Sequence, residues 1–114
     1  MHELSIVANL FEILNQKAKE KKAKRILSVT LQVGRLSGVV PELLRSSFDI
    51  YKQDTLAHNA DLVIQEVPFK VRCLACGTEM TKEDFIMVCD RCRSTELEIL
   101  QGTELFLLKM DVEA

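Results

Sequence analysis

At 114 residues the chain is one ordinary domain, or a small core plus a metal-held subdomain too small to bury enough apolar surface alone. Its 47% hydrophobic and 28% charged residues are those of a globular protein, with no Pro/Gly/Ser tract or low-complexity block to suggest disorder. The acid in Met1-His2-Glu3-Leu4 argues against a secretory signal and the lack of a long apolar run against a membrane span, so a cytoplasmic location and no membrane partner are expected.

From Leu4 the apolar residues Leu4, Val7, Leu10, Phe11, Leu14 and Ala18 recur at three- and four-residue steps, with Ile6 and Ile13 widening the stripe. The pattern predicts an amphipathic helix. Residues 17–25 carry six positive charges and one negative in a chain of net charge −2. Such a run invites a nucleic-acid reading. The stronger reading is a solvated helix end, where cations complement the macrodipole.

Residues 26–33 change period. Val29, Leu31 and Val33 alternate with Ser28, Thr30 and Gln32, as in a half-buried strand that ends at Gly34. After a loop from Arg35 to Val40, Pro41-Glu42 suits the first turn of a second helix, with Leu44, Phe48 and Tyr51 on one face, continuing to about Gln53. His58 to Asp61 reads as a turn. Leu62 to Phe69 is then β-rich and runs toward the first cysteine pair, residues 96–100 form a short strand candidate, Gly102 marks a turn, and Phe106, Leu108, Met110 and Val112 form a last alternating strand.

If the strands flanking the second helix are parallel neighbours, that helix is their crossover. The last strand is too apolar to stand alone and is expected to return to the first sheet. The fold class is therefore α+β: two helices on a small three-stranded mixed sheet, with an inserted four-cysteine zinc-ribbon-like subdomain. Residues 1–69 plus 102–114 make the main domain and residues 70–101 the insertion.

Every cysteine lies in one of two matched pairs, Cys73-Leu74-Ala75-Cys76 and, after twelve residues, Cys89-Asp90-Arg91-Cys92. Two residues between cysteines let a tight turn aim both sulfurs at one point, and two such turns supply the four thiolates of a tetrahedral zinc site. Gly77, just past the first pair, tolerates the positive φ that such a knuckle often requires. Two disulfides, disfavoured in a reducing compartment, or four unrelated buried thiols are the alternative.

No enzyme constellation is visible. His2 and His58 lie far apart, no Gly-x-Ser-x-Gly motif is present, and Gly34, Gly38, Gly77 and Gly102 form neither a phosphate loop nor a dinucleotide fingerprint. Four cysteine ligands leave no open metal position for an activated water. Nor does the insertion suit nucleic acid. Residues 70–99 set five cations (Lys70, Arg72, Lys82, Arg91, Arg93) against six acids, with Phe85 the one aromatic for stacking.

His2 has distinctive chemistry at its position. The Met1 α-amine, the peptide nitrogen of His2 and its imidazole Nδ1 can close fused chelate rings around Ni(II) or Cu(II), leaving an exchangeable fourth position. That is what a carrier needs. A plain helix-start histidine is the alternative.

Met1-His2-Glu3-Leu4-Ser5, the Val33-Gly34-x-x-Ser37 segment, the two cysteine pairs and the Gln101-Gly102 turn before a closing apolar strand occur in this order over nearly the full chain. In this it resembles the HypA/HybF family, the nickel-incorporation metallochaperones of nickel-iron hydrogenase maturation. The resemblance implies nickel as transferred cargo at Met1 and His2, and structural zinc on Cys73, Cys76, Cys89 and Cys92. Glu3 matches the motif as a further nickel ligand or a partner contact. The implied partners are a hydrogenase maturation GTPase and the hydrogenase large-subunit precursor, with no covalent catalysis. An insertion on two connecting strands could exchange between copies, so a homodimer is one expected state. The rival is a zinc-ribbon adaptor that binds protein or nucleic acid and never handles nickel.

Overall fold

The computed structural model describes residues 3–114. Helix α1 (Glu3–Glu20) buries Val7, Leu10, Phe11, Leu14 and Ala18 of the stripe that the three- and four-residue spacing predicts, with Ile6 partly buried and Leu4 and Ile13 exposed. Its lysine-rich end is a backbone-capped stop. Lys22 takes φ 53°, its N–H donates to the Lys19 carbonyl at 3.2 Å, and the Ala23 N–H donates to the Ala18 carbonyl at 2.9 Å. These two bonds satisfy carbonyls that a helix C-terminus leaves open, with lysine where glycine is more usual.

Strand β1 (Arg25–Gly34) follows and becomes the centre of a three-stranded sheet. Helix α2 (Pro41–Tyr51) starts with proline in its first turn, where no N–H is required, and leads to β2 (Asp61–Val67), which pairs with β1 in parallel. The helix is thus the crossover between two parallel neighbours. The helices meet through Phe11, whose ring lies 5.2 Å from that of Phe48 and 6.1 Å from that of Tyr51. Val29, Leu31 and Val33 of β1, Leu44 and Phe48 of α2 and Leu62 of β2 join the α1 stripe in one apolar core.

The expected strand from Leu62 to Phe69 is interrupted. β2 stops at Val67 and β3 (Lys70–Cys73) begins a second sheet, of order β4-β3-β5, with β4 at Glu79–Thr81 and β5 at Leu97–Gln101. Pro68 stands at the break, where it has no N–H to give to a ladder. β6 (Leu105–Glu113) then returns to the first sheet antiparallel to β1, so that sheet is mixed, as expected.

The passage between the sheets is a tight backbone joint. A Cβ on Gly34 would lie 2.0 Å from the Gly102 carbonyl oxygen, and one on Gly102 would lie 2.9 Å from Phe69 Cα. Hydrogen bonds from Gly34 N to the Glu104 carbonyl at 2.7 Å and from Leu36 N to the Gly102 carbonyl at 2.8 Å close it. Phe69 is fully buried at the joint, stacked on Phe85 at 5.8 Å, and the Arg35 guanidinium sits 5.9 Å from the Phe85 ring. The molecule is elongated, 55 × 24 × 17 Å, with a radius of gyration of 17.6 Å, against about 13 Å for a compact chain of this length. Among the described residues no helix is long and apolar enough to cross a membrane.

Candidate metal centre

The second sheet presents the cysteines on two turns built alike. β3 delivers Cys73 as its last residue, the chain turns through Cys76, and Gly77 takes φ 79°. The Gly77 N–H donates to the Cys73 carbonyl at 2.8 Å and the Cys73 N–H to the Thr78 carbonyl at 2.8 Å. Around the second pair the same bonds recur: Arg93 N to the Cys89 carbonyl at 3.0 Å and Cys89 N to the Ser94 carbonyl at 2.8 Å. Arg93 occupies the place of Gly77 and takes φ 67°. The positive φ expected at Gly77 is therefore a property of the turn, and the second turn meets it without a glycine.

Backbone N–H groups also point at the sulfurs. Cys76 N lies 3.4 Å from Cys73 Sγ, and Arg91 N and Cys92 N each lie 3.4 Å from Cys89 Sγ. Such donors favour thiolate over thiol. The Cys92 N–H, followed by that of Arg91, holds Cys89 below the usual thiol range. The Thr78 hydroxyl, with the Thr78 backbone, brings Cys76 down to about 6. For Cys92 the Ser94 backbone acts downward, but the neighbouring Cys73 thiol, burial and the other two cysteines prevail and push it up to about 12. A metal entering the cluster must displace that proton.

The four sulfurs lie within 4.8 Å of one another. Cys73 Sγ is 3.6 Å from Cys92 Sγ and Cys76 Sγ is 3.7 Å from Cys89 Sγ. A disulfide requires about 2.05 Å, and all four cysteines are free. Sulfurs around a tetrahedral ion with bonds of about 2.3 Å would be about 3.8 Å apart. The donor set and its spacing thus fit a closed four-thiolate site. Cys73 and Cys89 are buried while Cys76 and Cys92 are exposed, so the cluster is anchored on one side and open to solvent on the other.

One residue counted as a surface charge in the sequence is buried. Lys82 has a side chain 1% exposed, with Nζ 2.9 Å from the Val88 carbonyl, 2.8 Å from Asp90 Oδ1 and 3.4 Å from Asp84 Oδ1. Hydrogen bonding to Asp90 is the main cause that holds its pKa above the usual lysine range. No spacing rule marks this lysine. Its partners Asp84 and Asp90 stand two and eight residues further on, and only the folded loop brings them to it.

Of the residues proposed for nickel, Met1 and His2 lie outside the described residues. Glu3 opens α1, and its Oε2 accepts the Val40 N–H at 3.3 Å. Because Val40 caps α2, this contact ties the start of one helix to the start of the other.

A protein-family model described as hydrogenase/urease nickel incorporation, metallochaperone, hypA matches residues 1–112. The chain is 37% identical over 113 residues to the hydrogenase maturation factor HypA of Aquifex aeolicus, covering 99% of this chain and 98% of that protein. To the hydrogenase maturation factor HypA of Crocosphaera subtropica it is 43% identical, covering 99% and 96%. The solution structure of the Ni metallochaperone HypA from Helicobacter pylori superimposes with a TM-score of 0.70 at 29% identity, covering 100% of this chain and 99% of that one.

Proposed function

Because the chain belongs to the HypA family of nickel-incorporation metallochaperones, we propose that it carries Ni(II) at its amino terminus and delivers it during maturation of nickel-iron hydrogenase, with a structural zinc ion on the four cysteines. It is a metallochaperone and not a catalytic enzyme, and its partners are those of hydrogenase maturation.

Closure of the cysteine cluster carries this reading. Four thiolates complete a tetrahedral ion, so Cys73, Cys76, Cys89 and Cys92 can stabilise the second sheet yet offer cargo no exchangeable position. Cargo must then be held elsewhere. The Met1 amine, the His2 peptide nitrogen and His2 Nδ1 supply three nitrogen donors in a plane suited to Ni(II), with the fourth position left for an incoming ligand. Glu3 stands beside them as a further ligand or a partner contact, and its bond to Val40 holds α1 against the start of α2.

Residues 1–69 plus 102–114 act as the nickel-binding domain and residues 70–101 as the zinc-binding subdomain. The cytoplasmic partners in this reading are a maturation GTPase and the hydrogenase large-subunit precursor, which receives nickel by direct contact. Exchange of the zinc subdomain between copies offers a route to a homodimer.

A chain extended by one glycine before Met1 separates the amino-terminal clamp from other nickel sites, since it removes the residue-2 chelate and leaves the cysteines intact. Nickel titration of the native and extended chains is expected to show a loss of at least tenfold in affinity on extension. Metal analysis of both should still give one zinc per chain. Equal nickel affinity would sink the clamp, and two disulfides without metal would overturn the zinc assignment.

A further inference from the structure

We propose that Lys82 is the positioning residue of the metal centre: its buried ammonium ties the residues on both sides of Cys89, through the Val88 carbonyl and the Asp90 carboxylate, to the sheet that carries Cys73. The inference rests on the zinc reading of the four cysteines.

Lysine is seldom fully buried without partners, because desolvation of an ammonium must be offset by hydrogen bonds and opposite charge. Here the ammonium donates hydrogen bonds to two acceptors, the Val88 carbonyl at 2.9 Å and Asp90 Oδ1 at 2.8 Å, and makes a further ion pair with Asp84 Oδ1 at 3.4 Å. The two acceptors, Val88 and Asp90, immediately flank Cys89, the buried sulfur that accepts two backbone N–H groups. At its other end Lys82 is fixed to the start of β3, the strand that leads into the first knuckle. It follows Thr81, which pairs with Lys70 of β3, and its own N–H donates to the Phe69 carbonyl at 2.8 Å.

Residues 82–88 join the knuckles with no helix or strand of their own. β5 holds the far side of the second knuckle to β3, through the pairing of Cys73 with Leu97 and the Leu74 N–H on the Glu96 carbonyl, so it is the near side, before Cys89, that needs a further tie when the site holds no metal. Lys82 supplies that tie. Residues that orient metal ligands in this way commonly change metal affinity by about 10–100-fold when replaced.

Zinc transfer to a chromophoric chelator, followed on the full chain loaded with zinc, tests the clamp, together with the absorption spectrum of the cobalt-substituted protein. Lys82→Met keeps the stem length and removes the charge and donors. It is expected to release zinc about 10–100-fold faster, with weakened tetrahedral cobalt bands. Lys82→Arg, which restores charge and N–H donors, should recover part of the retention. Release from Lys82→Met at the native rate overturns the inference, as does a Lys82→Arg chain no better than Lys82→Met, which would reduce the effect to packing. Should Lys82→Met fail to fold, Asp90→Asn decides: faster release supports the clamp and native release overturns it. A native chain that binds neither zinc nor cobalt through thiolates instead sinks the zinc reading itself.

Discussion

Gly77 and Arg93 occupy the same place in two copies of one turn, at φ 79° and 67°. A side chain in that region costs about 1–2 kcal/mol where glycine costs almost nothing. A Cβ on Gly77 meets nothing within 4 Å, so Gly77→Ala isolates the backbone strain and should destabilise the zinc-loaded chain by about 1 kcal/mol. Arg93→Gly should do the reverse by a similar amount, less the entropy that glycine adds to the unfolded chain. Urea unfolding of both variants checks the pair, and a destabilising Arg93→Gly would mean that the arginine side chain contributes more than its backbone strain removes. Spacing made Gly77 legible because glycine announces such a turn. It could not reveal Arg93, whose conformation is imposed by the hydrogen bonds around Cys89, nor Lys82, whose burial depends on acceptors that only the folded loop brings together.

At the scale of elements, the sequence is most informative where one period runs long enough to define a face. The α1 stripe and the alternation of β1 each fix which side meets the core, and structure and spacing agree there except at Leu4 and Ile13, which are exposed, and at Thr30, which the central position of β1 buries. Legibility fails at short pieces. β4 has three residues with only Met80 half-buried, too few to establish a period, and Pro68 divides a β-rich run that periodicity alone reads as continuous. The glycine joint was visible only as two motif fragments, around Gly34 and at Gln101-Gly102, because contact between residues 34, 69 and 102 is a product of the fold. Its tightness gives a sharp expectation. Gly34→Ala would press a methyl against the Gly102 backbone at 2.0 Å, where neither partner is a flexible side chain, and should cost about 3 kcal/mol. Gly38→Ala is its control: φ is 82° but the space is open, so about 1 kcal/mol is expected. Similar losses in the two variants, measured by denaturant unfolding, would show that the joint relaxes.

Across the whole molecule the apolar core is unevenly shared. The main cluster draws on both helices and the β2-β1-β6 sheet, whereas the fully buried apolar side chains around the β4-β3-β5 sheet are Phe69 and Val71, beside Cys73 and Cys89, which are metal-ligand candidates, and the Lys82 ammonium. Ile86, Ile99 and Leu100 of that region remain exposed. So small a core cannot offset the entropy of ordering some thirty residues, and a bound ion closing the two knuckles would supply much of the difference. The first sheet needs no such help. Its link to the second runs through the glycine joint and the Phe69–Phe85–Arg35 stack, a narrow contact across which unfolding need not spread. Removing zinc with a strong chelator under reducing conditions should therefore melt one part and spare the other. Amide protons of β3, β4 and β5 are expected to lose protection from exchange, while those of α1, β1 and α2 keep it and the far-ultraviolet helix signal persists. Loss of protection in both sheets together would instead mean that the joint makes the chain a single cooperative unit, with the ion supporting the fold as a whole.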